Sequence, residues 1–202
     1  MIAIVDYGVG NLFSLGSSLE SIGADSVITG DPEVIHQADH IILPGVGAFG
    51  DAARQLRETG MDQVVLEEAG RGKPILGICL GMQLLMESSE EYGHHQGLGL
   101  IPGNIVDMRG RLPEDLLIPH MGWNSLDIQD DCAIFKYVRS GQFVYFVHSF
   151  YGDGRGEAVA ATCGYGVPIA AAVHKGNIYG CQFHPEKSGP TGLAILRGFC
   201  ES

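Results

Sequence analysis

The chain is short of basic residues: 12 lysines and arginines stand against 24 aspartates and glutamates in 202 residues, a formal charge of −12. That balance argues against a surface built to grip a phosphate backbone, so no nucleic-acid partner is expected. No apolar run approaches the roughly 18 residues that a membrane span needs, so no membrane association is expected. The first strand-like run, Met1-Ile2-Ala3-Ile4-Val5-Asp6, has no basic leader before it, so a cytoplasmic location is expected. The five cysteines are odd in number and irregularly spaced, which does not suit a disulfide framework. Cys181 and His184 have the C-x-x-H spacing of zinc ligands, but no second pair at compatible spacing accompanies them, so no metal is expected. Repeats, low-complexity segments and flexible linkers are also lacking. With 45% hydrophobic and 18% charged residues, a single globular domain over residues 1–202 is expected.

What is present alternates. Ile2 to Val5 reads as a strand, and Leu12, Leu15, Leu19 and Ile22 as one face of a helix, with Asn11 as its N-cap and Gly23 as its stop. Between them Gly8-x-Gly10 partly matches a dinucleotide fingerprint, but Phe13 occupies the third glycine position. Val27 to Thr29 reads as a strand, Asp31-Pro32 as the start of a short helix, and His40 to Leu43 as a third strand. The run Pro44 to Gly50 is too glycine-rich for regular structure. Helices are expected over Asp51 to Leu56 and Met61 to Ala69, a strand over Pro74 to Ile78, and a helix over Leu80 to Glu87. This order predicts an α/β fold, a parallel or mixed sheet with helices on both faces. After Glu91 the chain turns β-rich, with strand-like pieces at Ile105 to Met108, Trp123 to Ile128, Phe143 to Val147, Val159 to Thr162, Ile169 to Val173 and Ile178 to Phe183. The last two are joined by a hairpin at Lys175-Gly176-Asn177, and Leu193 to Cys200 forms a closing helix.

The organising stretch is Lys73-Pro74-Ile75-Leu76-Gly77-Ile78-Cys79-Leu80-Gly81-Met82-Gln83. A cysteine between a buried strand and a helix, with glycines two residues away on each side, is the pattern of a sharp nucleophile elbow. At a helix N-terminus, free amide groups favour the thiolate. The competing reading is a buried structural cysteine. A base and its orienter come from Gln182-Phe183-His184-Pro185-Glu186, where residues two apart on an extended strand point the same way, placing Glu186 beside His184. The amide of Leu80 and the loop Pro44-Gly45-Val46-Gly47 are the expected oxyanion donors.

Gly77 to Gln83 taken with Phe183-His184-Pro185-Glu186 resembles the class I, triad-type glutamine amidotransferase family over essentially the whole chain. The resemblance implies a flavodoxin-like fold. More narrowly, Asp6 to Leu12, Pro44 to Phe49, His120-Met121-Gly122-Trp123-Asn124 and His184 to Ser188 resemble the glutaminase subunits of imidazole glycerol phosphate synthases. It follows from the resemblance that Cys79, His184 and Glu186 form the triad, that Val46, Gly47 and Leu80 form the oxyanion hole, and that Gln83, Glu91, His148 and Ser149 contact L-glutamine. It further implies that Asn11, His120, Met121, Gly122, Trp123, Asn124 and Lys187 face a (βα)8-barrel cyclase subunit in a heterodimer. No cofactor is implied. Two other readings stay open: a triad glutaminase serving a pyridoxal phosphate or anthranilate synthase, or a nucleotide-binding module in which Cys79 is structural. Outside these motifs, His94-His95 reads as a solvated pair; Trp123, taken apart from its motif, reads as a core anchor, and the resemblance is what makes it an interface residue.

Overall fold

The computed structural model describes residues 1–129, 131–153 and 158–202. Its first half alternates: β1 Ile2–Val5, α1 Leu12–Ser21, β2 Ser26–Thr29, α2 Pro32–Gln37, β3 His40–Leu43, α3 Phe49–Glu58, α4 Met61–Gly70, β4 Ile75–Ile78 and α5 Leu80–Leu85. Its second half is mostly strand: β5 Ser88–Ser89, β6 His95–Gln96, β7 Asn104–Asp107, β8 His120–Ser125, β9 Asp127–Ile128, β10 Phe143–His148, β11 Phe150–Gly152, β12 Val159–Tyr165, β13 Val167–Lys175 and β14 Ile178–Cys181, closed by α6 Gly189–Cys200.

Among the described residues the main sheet has the order β2-β1-β3-β4-β14-β13-β12-β9. It is parallel from β2 to β14 and antiparallel beyond. The apolar runs explain this. All four residues of β1 and of β4 are buried, as strands covered on both faces must be. Side chains alternate across the pleat, so Ile2 and Ile4 pack with Leu15, Leu19 and Phe199 from α1 and α6. Ala3 and Val5 pack with Ile35, Val65 and Leu84 from α2, α4 and α5 on the other face. A two-stranded antiparallel sheet β8–β10 and a small sheet β11-β7-β5-β6 complete the second half.

In a sheet whose strand order reverses beside β1, ligands collect at the carboxyl ends of the strands on either side of the reversal. There the segments after β1, β3 and β4 converge: the Tyr7 hydroxyl donates to the Pro44 carbonyl at 2.8 Å. The glycines after β1 serve packing here, Gly8 beneath the Gln55 amide and Gly10 against Pro44.

Several local expectations change. Asn11 sits at the N-cap of α1 but its side chain caps nothing, whereas Asp31 accepts from the Glu33 amide at 3.0 Å as expected of a cap. Helix α3 begins at Phe49, inside the stretch expected to be irregular, because the Glu91 carboxylate accepts the Phe49 amide at 2.6 Å and supplies the cap from 42 residues away. Helix α5 stops at Leu85, short of Glu87, as Met86 turns extended toward β5. Helix α6 begins at Gly189, not Leu193, since Pro190 fits the first turn. The strand expected from Trp123 starts at His120, and the pieces β5, β6 and β11 are too short to show a period. Of the pair expected to be solvated, His94 is exposed, but His95 is half-buried with its ring against Gly50, where a Cβ would come within 2.6 Å.

Candidate active site

Cys79 follows the last residue of β4 with φ +53° and ψ −111°, a conformation that L-residues rarely adopt and that surrounding structure must hold. Two main-chain bonds hold it. Its N–H donates to Cys181 O on β14 at 2.8 Å, extending the β4–β14 ladder by one residue, and its carbonyl accepts from Gln83 N at 3.2 Å, opening α5. The flanking glycines matter for a reason other than clearance around Cys79. A Cβ on Gly81 would lie 1.9 Å from the Leu43 carbonyl oxygen, and one on Gly77 2.6 Å from the Met82 nitrogen. They let the elbow press against β3 and against its own first turn.

His184 lies beyond β14 in extended conformation, and Glu186 stands in a 3-10 turn over Pro185–Lys187, so the pair does not share a strand. The turn nevertheless brings Glu186 Oε1 to 2.8 Å from His184 Nδ1, with both side chains 3% exposed. Nδ1 therefore donates to the carboxylate, leaving Nε2 for the cysteine. The segment is pinned to β10: His184 N donates to Tyr145 O at 2.9 Å, and Ser188 Oγ donates to His184 O at 2.6 Å while accepting from Tyr145 N at 3.0 Å. Burial alone would lower the His184 pKa, but hydrogen bonds to Cys79 and Glu186 outweigh it and raise the imidazole to about 9. Helix α5 spans under two turns, so it offers the sulfur only a short helix's dipole, and the imidazole of His184 faces the sulfur as well.

A cleft of about 330 Å³ opens over Cys79. Val46, Gly47, Leu80, Gln83, Glu91, His148, Ser149 and His184 all line it, while Glu186 stays behind His184. Tyr92, Arg109 and Phe150 also line it, and nothing in their sequence context marked them. Gly47 has φ +94°, open to glycine without strain. Glu91 is buried, which raises its pKa against the opposing hydrogen bond from Phe49. Gln83 is buried and spends both amide hydrogens inside the protein, on Phe150 O at 3.1 Å and Gln182 Oε1 at 3.0 Å. Gln182 in turn donates from Nε2 to Cys79 Sγ at 3.8 Å. Its place two residues before His184 was the available sequence signal for this contact.

The residues expected to face a partner divide. Strand alternation turns Met121 and Trp123 outward, 65% and 56% exposed, and Lys187 is exposed as well. Asn11, Gly122 and Asn124 are half-buried. His120 points inward, stacked between Tyr165 and Phe146 with ring centroids 4.0 and 4.8 Å away, so its side chain is not part of an outer surface. Trp123 meets Tyr145 edge-on across β8–β10 and is not a core anchor.

The cleft has relatives. The family model for glutamine amidotransferase class-I matches residues 3–202. Proteins named imidazole glycerol phosphate synthase subunit HisH are 52% identical in Methanosarcina acetivorans, covering 99% of this chain and 98% of that one, and 49% identical in Listeria monocytogenes, covering 100% and 95%. Among solved structures, a glutamine amidotransferase superposes with a TM-score of 0.76 at 19% identity, covering 100% of this chain and 98% of that one. A chain of PurLQS from Thermotoga maritima superposes at 0.74 and 22%, covering 99% and 97%, and both establish a shared fold. The chain belongs to the class I glutamine amidotransferase family, on the branch of its HisH relatives.

Proposed function

We propose that this chain is the glutaminase subunit of an imidazole glycerol phosphate synthase. One observation carries the reading: a strained cysteine, hydrogen-bonded to a histidine that a buried glutamate orients, stands at the floor of a cleft in a chain about half identical to HisH subunits. Cys79 Sγ attacks the carboxamide carbon of L-glutamine, the C–N bond breaks as His184 protonates the leaving ammonia, and water then hydrolyses the γ-glutamyl thioester to glutamate. Amides of Leu80 and of Val46 or Gly47 receive the oxyanion. With both its amide hydrogens committed, Gln83 can meet the substrate only as an acceptor through Oε1, which suits an ammonium group. Glu91 adds negative charge beside the same group, and Arg109 at the rim suits the α-carboxylate.

Ammonia is the product put to use. It passes to a (βα)8-barrel cyclase that docks on the face bearing Met121, Trp123 and Lys187, with Asn11, Gly122 and Asn124 at its margin. A single domain in the cytoplasm, working as a heterodimer without cofactor, is the form this function takes.

Glutamate release is to be measured with and without the cyclase and its nucleotide. Cys79→Ala is expected to lower the rate at least about a thousandfold, and undiminished release would refute the assignment. Co-purification with the cyclase separates this reading from a glutaminase serving a pyridoxal phosphate or anthranilate synthase.

A further inference from the structure

A single main-chain carbonyl, that of Phe150, fixes the hydrogen-bond directions along a buried polar chain that runs from Cys79 to His120. The oxygen can only accept. It accepts from Gln83 Nε2 at 3.1 Å and lies 2.9 Å from His148 Nδ1. The first contact orients the Gln83 amide, whose nitrogen also faces Gln182 Oε1 at 3.0 Å. That contact orients Gln182 in turn: turning its amide over would set nitrogen against nitrogen and oxygen against sulfur. Gln182 must therefore present its N–H to Cys79 Sγ, 3.8 Å away.

The second branch obeys the same logic. His148 carries its proton on Nδ1, so its Nε2 accepts from His120 Nδ1 at 3.0 Å, and His120 Nε2 accepts from Asn124 Nδ2 at 3.3 Å. Register sets this up, since His120 and His148 are directly opposed across β8–β10. Gln182 is fully buried and Gln83, His120 and His148 are nearly so. Little solvent reaches these four side chains, and their orientations agree with one carbonyl, while the Asn124 amide at the far end is fixed independently by its bond to Gly164 O at 2.9 Å.

We propose that Gln182 is a catalytic residue, holding an N–H on the Cys79 sulfur to stabilise its anion, and that Gln83 positions it. This goes beyond the glutaminase reading but rests on it for the use to which the anion is put. A neutral donor complements the imidazolium. His184 must give its proton to the leaving ammonia, whereas the Gln182 N–H stays on the sulfur whenever the thiolate is regenerated.

The test reads the thiolate directly in the full-length chain. Alkylation of Cys79 by iodoacetamide, followed by peptide mass spectrometry across pH, gives the midpoint of thiolate formation without turnover. Gln182→Met keeps the volume and removes the donor. Its midpoint is expected to rise by about one pH unit, and kcat/KM for glutamine hydrolysis to fall about tenfold with KM little changed. Gln83→Met, which releases the Gln182 amide to rotate, should move the midpoint in the same direction. An unchanged midpoint in a folded Gln182→Met chain overturns the proposal, as does a fall in kcat without a midpoint shift. Should Gln182→Met fail to fold, an unchanged midpoint in Gln83→Met overturns it equally. The outcomes separate from those of the glutaminase reading: a shifted midpoint in a chain releasing no glutamate refutes only that reading, and glutamine hydrolysis with an unshifted midpoint refutes only this one.

Discussion

Cys79 is held by its surroundings in a conformation its own side chain disfavours, and its reactivity depends on what those surroundings present to the sulfur. His184 faces it as an imidazolium because Glu186, 2.8 Å from Nδ1, and Cys79 itself outweigh the cost of burial. The linkage has a definite sign. A histidine raised from its usual 6.5 to about 9 contributes stability that is fully present below pH 6.5 and is lost as pH climbs through about 9. Glu186→Gln removes the carboxylate and lets the His184 pKa fall. The alkaline limb of glutamate release should therefore move down by one unit or more and kcat should drop about a hundredfold, while the loss of thermal stability should be larger at pH 6 than at pH 9.5. Rate profiles and melting curves at the two pH values check this. A hundredfold loss with an unmoved alkaline limb would assign Glu186 to ring orientation alone. Legibility at this scale was uneven. Cys79, His184 and Glu186 could be read from two short motifs, but the geometry joining the last two is a 3-10 turn rather than a strand, because Pro185 favours the first turn of a helix.

At the scale of elements, α5 and β3 meet backbone to backbone. The Leu43 carbonyl occupies the space that a Gly81 side chain would need, 1.9 Å from its Cβ position, and a central parallel strand has no freedom to withdraw. Gly81→Ala is expected to destabilise the fold by about 3 kcal/mol or more, read as a lowered urea midpoint at unchanged slope. A loss under about 1 kcal/mol would mean that the elbow can shift. Most strands and helices of the first half could be read from apolar spacing, since their faces are set by burial. The start of α3 could not, because its cap, Glu91, arrives from 42 residues away. Nor could β5, β6 and β11, whose two or three residues pair only because larger neighbours bring them together.

For the molecule as a whole, pH dependence is spread over groups far apart in sequence. Burial holds His120 at about 4 and His148 at about 3. Both are depressed, so as pH falls below 6.5 the unfolded chain takes up protons that the folded chain refuses, and stability declines until those lower values are reached. Each imidazole contributes a slope of up to about 1.4 kcal/mol per pH unit. His120→Asn, which keeps a donor near the position of Nδ1, should be the less pH-sensitive protein between pH 6 and pH 4, and parallel urea titrations of the two proteins at those values measure the difference. Equal slopes would show that His120 protonates as freely in the folded chain as in the unfolded one.

What the sequence determined by itself was local chemistry and local period: an acidic globular α/β chain, a cysteine elbow, a histidine with its glutamate, and a glycine loop to face them. These are legible because a turn, a strand or a motif is specified by residues next to one another. Only the tertiary structure decided that His120 points inward at His148, that Glu91 caps α3, and that Gln83 spends its hydrogens on Phe150 and Gln182. The physical reason is the same in each case. A buried hydrogen bond takes its direction from whichever group cannot reverse, here a main-chain carbonyl or amide, and the fold alone determines which distant side chains come to face it.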